Sequence, residues 1–169
     1  MTLVSIMTSN LDIMMAIKPV YAERIYLKDK TLEFRKKVAT MLKKHFKLHG
    51  NKKPVRVYIY ESYPKKMITG FIVVDFVWSV NKFVIEQFHR AHPKSLGIDI
   101  SSLFKYYQVD ETTDPHVPIG YAFNIREAIR FVKPICLWDI DLSYPPQDFI
   151  YLTPCDVDRI ENALIDMRC

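Results

Sequence analysis

Glycine is scarce, at 4 of 169 residues. That argues against a doubly wound nucleotide binder, whose phosphate loops need several glycines. There are 3 cysteines, Cys136, Cys155 and Cys169, odd in number, widely spaced and without a C-x-x-C pair. Neither a disulfide framework nor a cysteine zinc site fits, so a reducing cytoplasm is the expected setting. No apolar run reaches the ~18 residues of a membrane span, and no membrane partner is expected. The apolar stretch 1–17 lacks a basic leader and a cleavage site, so it does not read as a signal peptide. Residues 1–12 are expected to be an extension, with Met14 or Met15 as an alternative functional start. Internal repeats, low-complexity stretches, an H-E-x-x-H pattern and a Ser/His/Asp order are all missing.

What is present describes a folded chain. Hydrophobic residues are 49%, charged residues 25% and aromatics 13%, including 10 Tyr and 10 Phe. This composition excludes an intrinsically disordered chain and provides for one domain, placed at 13–169. The net charge is +5, but it is unevenly spread. Between Lys18 and Lys66 there are 15 Lys and Arg against 4 Asp and Glu, whereas residues 67–169 are acidic on balance. An anionic partner, nucleic acid above all, is one reading of that asymmetry, and a solvated basic face is the other.

Hydrophobic periodicity predicts the elements. A buried strand spans 12–17, and Pro19 opens a short helix over 20–27. Residues 31–35 alternate, with Leu32 and Phe34 on one face and Thr31, Glu33 and Arg35 on the other. An amphipathic basic helix is predicted over 36–49, with Val38, Met41, Leu42 and Phe46 inward and Gly50 and Asn51 ending it. Strands follow at 55–60 and 67–78, where Gly70 marks a bulge or a close backbone approach. A helix at 80–92 would bury Val80, Phe83, Val84 and Phe88. Another at 100–107 has Asp99 or Ser101 as its cap. Residues 109–118 form an acidic loop. Two strands, 119–125 and 128–132, are predicted with a turn near Arg126, then a strand at 135–140 and one at 148–152. Thr153, Pro154 and Asp156 start a last helix that buries Val157, Ile160, Leu164 and Met167. Strands mixed irregularly with short helices point to an α+β unit built on a small β-barrel.

Four segments carry a resemblance: IKPVYAERIYLKDKTLEFR at 17–35, VYIYESYPKKMITGF at 57–71, IRFVKPICLWDI at 129–140 and PPQDFIYL at 145–152. Their order and spacing resemble the ASCH domain family, a branch of the PUA-like superfamily. The resemblance implies a PUA-like small β-barrel of ASCH type with flanking short helices, and a cleft near the K-T-x-E-x-R segment. It implies binding of RNA or modified bases, and roles in RNA metabolism or transcription. One ASCH branch hydrolyses acetylated cytidine nucleosides with a lysine, a threonine and a glutamate. Lys30 matches that lysine, but Glu33 stands at the threonine position. The pattern's glycine before K-T is Lys28-Asp29 here, and a basic helical insertion occupies about 36–53.

The candidate binding residues are Lys18, Tyr21, Lys30, Thr31, Glu33, Arg35, Tyr60, Ser62, Lys65 and Lys66. Residues 31, 33 and 35 share a face of an extended strand. A carboxylate between cations stays ionised and accepts from a base edge, while a guanidinium offers a fork to a phosphate. Lys18 stands beside a helix N-terminus, and Tyr21 beside it. Tyr60 and Tyr63 next to Lys65 and Lys66 have the composition of a stacking platform with phosphate contacts. The alternatives are a surface ion pair at 30–35 and barrel packing for Tyr58, Tyr60, Phe149 and Tyr151. His45 and His49 stand at i, i+4, but a third ligand is wanting, and neither a metal nor a cofactor is expected. Cys136 is expected to be packing.

Three functions follow as expectations. The first is an RNA or nucleotide-binding module with a basic cleft. The second is a hydrolase of a modified nucleoside, with Lys30 as base or activator and Glu33 in proton transfer. The third is a protein-binding adaptor. Ligand identity and oligomeric state are not encoded in any motif.

Overall fold

The computed structural model describes residues 11–166. The expectations for residues 1–10, Met167 and Cys169 lie outside them. Six strands form one mixed sheet: β1 Asp12–Ile17, β2 Leu32–Arg35, β3 Val55–Glu61, β4 Met67–Val80, β5 Gly120–Ile135 and β6 Phe149–Leu152. The spatial order is β2-β5-β4-β3-β1-β6. Only β1 and β3 run parallel; the other four pairings are antiparallel. Five helices flank the sheet: α1 Pro19–Tyr26, α2 Thr40–His49, α3 Lys82–Ala91, α4 Ile100–Tyr107 and α5 Pro154–Asp166.

The alternation of strand residues divides the core. From β1, Ile13, Met15 and Ile17 face α1 and α2, joined by Val55, Val57 and Ile59 of β3 and by Phe123. Met14 faces the opposite way, toward Tyr58, Tyr60, Ile68 and the α5 residues Val157 and Ile160. This two-sided burial explains why DIMMAI is a nearly continuous apolar run. A third cluster joins Leu32 and Phe34 of β2 to Ile85 of α3 and to Leu103 and Tyr107 of α4.

The sheet is α+β and barrel-like, but its ladders do not close into a ring. Instead, Arg35 spans the seam between the two edges. Its guanidinium donates to the Ala16 carbonyl of β1 at 2.5 Å and to Asp148 Oδ1, just before β6, at 2.7 Å. The Ala16 N–H also donates to the Asp148 carbonyl at 3.0 Å.

Several expectations need correction. The turn near Arg126 is a bulge within one continuous strand. Across the β4–β5 ladder Val73 pairs with Glu127 and Val74 with Ile125, which leaves Arg126 over; Asp75 is left over on β4. The two extra residues pair their charges at 3.3 Å, so the break in alternation reflects a double irregularity and not a chain reversal. Residues 137–140 form a 3-10 turn in place of a strand. The Cys136 N–H there donates to Asp139 Oδ2, and Cys136 itself is half-buried.

The helix predicted from 36 begins at Thr40, because 36–39 continue outward from β2 and the Lys36 N–H donates to the Tyr106 hydroxyl. Leu42 and Phe46 are its inward residues, and Met41 is exposed. Val80 belongs to β4, and α3 is phased by Asn81, whose side chain accepts from the Val84 N–H. Ile85 is therefore its buried residue, while Phe83 and Val84 are exposed. The caps predicted at Asp99 and Thr153 form: Asp99 accepts from the Ser101 and Ser102 N–H groups, and Thr153 and Asp156 make a reciprocal box. Gly70 is required by close approach, since a Cβ there would overlap the Ile129 carbonyl on β5. Among the described residues no helix is long and apolar enough to cross a membrane.

Candidate functional site

A cavity of about 270 Å³ opens at the seam where β1, β2 and α4 meet. The C-terminal end of β1 supplies Ala16 and Ile17, the cap of α1 supplies Lys18, and its first turn supplies Tyr21. The floor comes from Lys30, Glu33, Phe34 and Arg35. Ser62 follows β3, Ile98 precedes α4, Leu103 and Tyr106 belong to α4, and Gln147 comes from the stretch before β6.

The ionic groups on the floor are buried and already engaged. Lys30 is 3% exposed and Glu33 6%. Lys30 Nζ donates to the Leu32 carbonyl and, at 3.3 Å, to the Leu96 carbonyl, and it lies 3.3 Å from Glu33 Oε2. Three acceptors thus meet the three donors of an ammonium. Rings flank the same nitrogen, with Phe34 at 5.1 Å and Tyr21 at 5.9 Å from their centroids. Glu33 Oε1 is 3.0 Å from Arg35 Nε, an ion pair out of line for a hydrogen bond. The row therefore reads cation, anion, cation, anion: Lys30, Glu33, Arg35, Asp148. Its charges cancel internally.

Gly97 makes this placement possible. Its backbone is left-handed at φ 61°, and a Cβ there would overlap the Lys30 stem. Arg24 holds that loop from outside, donating to the Gly97 carbonyl at 2.6 Å. Burial pulls the Lys30 ammonium below the ordinary lysine range, and the Glu33 carboxylate only partly offsets this. In the folded state Lys30 thus holds its proton less firmly than in the unfolded chain, so stability should rise with pH below the ordinary value of 10.5. Urea titrations at several pH values are expected to show that rise in the wild type and a flatter curve in Lys30→Met. Identical slopes would contradict the assignment.

The predicted site residues divide cleanly. Lys18, Tyr21, Lys30, Glu33, Arg35 and Ser62 line one cavity. Thr31, Tyr60, Lys65 and Lys66 do not. Thr31 precedes β2 and is tied by its N–H to the Ser95 carbonyl and by its own carbonyl to the Ile125 N–H. Tyr60 is packed in the core against Met14 and Ile68, where burial raises its pKa. Lys65 is paired with the buried Glu61 at 3.0 Å, and Lys66 Nζ rests on the exposed Tyr63 ring at 5.6 Å. Strand alternation accounts for Tyr60, since 58 and 60 face the α5 side of the sheet. His45 and His49 have ring centroids 4.8 Å apart, and His45 Nε2 is hydrogen-bonded to the Lys53 carbonyl at 2.7 Å. Among the described residues no group of three His, Cys, Asp or Glu gathers to hold a metal.

Residue-by-residue reading missed Phe34, Ile98, Leu103, Tyr106 and Gln147 as lining, and missed Asp148 as the partner of Arg35. Gln147 and Asp148 fall within the PPQDFIYL segment, a usable signal. Nothing local marks Ile98 or Leu103.

Chemically, the floor presents carboxylate lone pairs, a serine hydroxyl and aromatic faces around a space just below the size of ordinary ligand pockets, roughly 300–1,000 Å³. Its buried cations are already paired, and Lys18, exposed and without a carboxylate partner among the described residues, is the one cation left open, so the interior suits an uncharged polar ring.

No family model and no curated protein sequence matches the chain. Solved structures do. The crystal structure of ASCH from Zymomonas mobilis is similar with a TM-score of 0.68 at 19% identity, covering 91% of this chain and 96% of that one. The S128A mutant of the Zymomonas mobilis protein gives 0.67 at 18% identity, covering 92% and 98%. The N-terminal domain of Staphylothermus marinus McrB gives 0.55 at 11% identity, covering 92% and 94%. The likeness is one of fold and spans nearly the whole described chain.

Proposed function

We propose that this chain, with its ASCH-type fold, binds single-stranded RNA by accepting one base, or a modified nucleoside, in the seam cavity. The observation that carries this reading is a space of about 270 Å³ whose buried cations Lys30 and Arg35 are already engaged, by Glu33 within the lining and by Asp148 outside it, which leaves Glu33, Ser62, Tyr21 and Tyr106 to meet a ring. A phosphate would find only Lys18 uncommitted there, whereas a heterocycle can donate to Glu33, accept from Ser62 or Lys18, and lie against Tyr106 or Tyr21. The proposed setting is RNA metabolism or transcriptional regulation in a reducing cytoplasm.

Titration calorimetry with cytidine, uridine, adenosine and an acetylated cytidine tests the reading. At least one nucleoside is expected to bind, and Tyr106→Ala to weaken it roughly 5- to 150-fold, the range of one stacking contact. No binding by any nucleoside, or binding indifferent to Tyr106→Ala, would reject it. Release of cytidine and acetate during the titration would favour the hydrolase reading instead. Lys30 offers that chemistry little, because its nitrogen is committed to three acceptors. Capture of a protein partner that survives nuclease treatment would favour the adaptor.

A further inference from the structure

We infer that an RNA strand held by one base in the cavity leaves it over Lys36 and Lys43, which take the flanking phosphates. This rests on the proposed base-binding role of the cavity and adds a direction to it.

The cations on the cavity floor, Lys30 and Arg35, are committed to Glu33, Asp148 and backbone carbonyls, which leaves Lys18 as the one open cation of the lining, and the further phosphates of a bound strand are met outside. One wall of the mouth is Tyr106, and Lys36 is fixed to it twice. The Lys36 N–H donates to the Tyr106 hydroxyl at 3.2 Å, and its Nζ sits 5.1 Å from the ring centroid. The next aromatic is Tyr121, which stands opposite Arg35 in the β2–β5 ladder. Residues directly opposite share a face, so Tyr121 lies beside the guanidinium that closes the seam. Lys43 of α2 rests on that ring, with Nζ 5.3 Å from the centroid and donating to the hydroxyl at 3.2 Å.

Two exposed ammonium groups are thus pinned, in succession, on tyrosines that lead away from the cavity. Pinning matters because a free lysine loses rotamer freedom on binding a phosphate, and a lysine already resting on a ring loses less. Among the described residues neither Lys36 nor Lys43 has a carboxylate partner, so their charge is available. The opposite exit, past Lys65, is poorer because Glu61 compensates that lysine.

The test is fluorescence anisotropy with a labelled single-stranded RNA of about ten nucleotides, titrated at several salt concentrations. Each of Lys36→Ala and Lys43→Ala is expected to reduce the slope of log affinity against log salt by about 0.7, the contribution of one phosphate contact in a single strand. Lys133→Ala, an exposed cation on β5, is expected to leave the slope unchanged. Lys43→Ala, whose ammonium rests on Tyr121 and not on the Tyr106 wall, should retain wild-type nucleoside affinity, and circular dichroism reports the folding of both variants. A slope unmoved by either variant, or one lowered equally by Lys133→Ala, would overturn the track, as would a wild type that does not bind the RNA. If the slope falls as expected while no nucleoside binds, the track stands and the cavity reading fails.

Discussion

Glu33→Ala is expected to destabilise the protein by about 3–5 kcal/mol, the cost of stranding a buried charge. Lys30 would keep only two carbonyl acceptors, and Arg35 Nε would lose its anion, in a floor where the Lys30 and Glu33 side chains are 3% and 8% exposed. That is a large share of the roughly 5–15 kcal/mol that holds a domain folded. Urea unfolding should show a lower midpoint with an unchanged slope. A loss below about 1 kcal/mol, the worth of an exposed pair, would show that the pair is not buried in solution. The double replacement Lys30→Met with Glu33→Leu removes both charges and should recover most of the stability, because hydrophobic residues of similar size replace buried ion pairs at little cost. The recovered fold should still fail to bind nucleoside, which separates the chemistry of the site from its structural role.

The second large effect is expected at Gly97. Alanine there must adopt φ near 61°, at a backbone cost of about 1–3 kcal/mol, and its Cβ must also displace the Lys30 stem. That stem cannot swing aside, since its nitrogen is held at Leu32, Leu96 and Glu33. The comparison is the same substitution in a Lys30→Ala background, where no stem lies across the Cβ. Gly97→Ala should therefore cost clearly more in the wild type than in that background in the same unfolding assay, and it should also abolish nucleoside binding. Equal losses would mean that Lys30 does not lie across Gly97.

These two residues also show what the chain discloses locally. Lys30, Glu33 and Arg35 were legible because β2 carries two of them and Lys30 stands just before its first residue, and alternation alone puts 33 and 35 on a common face. Gly97 was not, since its role depends on a side chain 67 positions away crossing its backbone. The caps at Asp99 and Thr153, and the strands β1, β3 and β4, follow from nearest-neighbour chemistry and were readable to within a residue or two. The single strand β5 was not: its break in alternation at Arg126 has the look of a turn until Asp75, on the facing strand, provides a matching extra residue. Lys36 and Lys37 continue the periodicity of α2 without belonging to it, because the chain bends at Lys36, where a tertiary bond ties its N–H to Tyr106, and α2 starts only at Thr40. The barrel-like closure was likewise beyond local reading, for it depends on Arg35 reaching Ala16 and Asp148 across the seam.

Amide chemical-shift mapping with an uncharged nucleoside tests the central claim most directly. Titration with cytidine or adenosine is expected to move the amides of Ile17, Ser62, Ile98 and Tyr106 together, and inorganic phosphate, which finds only Lys18 open, is expected not to reproduce that joint shift. Phosphate moving the same four amides together, or nucleoside shifts gathered instead around Tyr63 and Lys66, would contradict a cavity that receives a base.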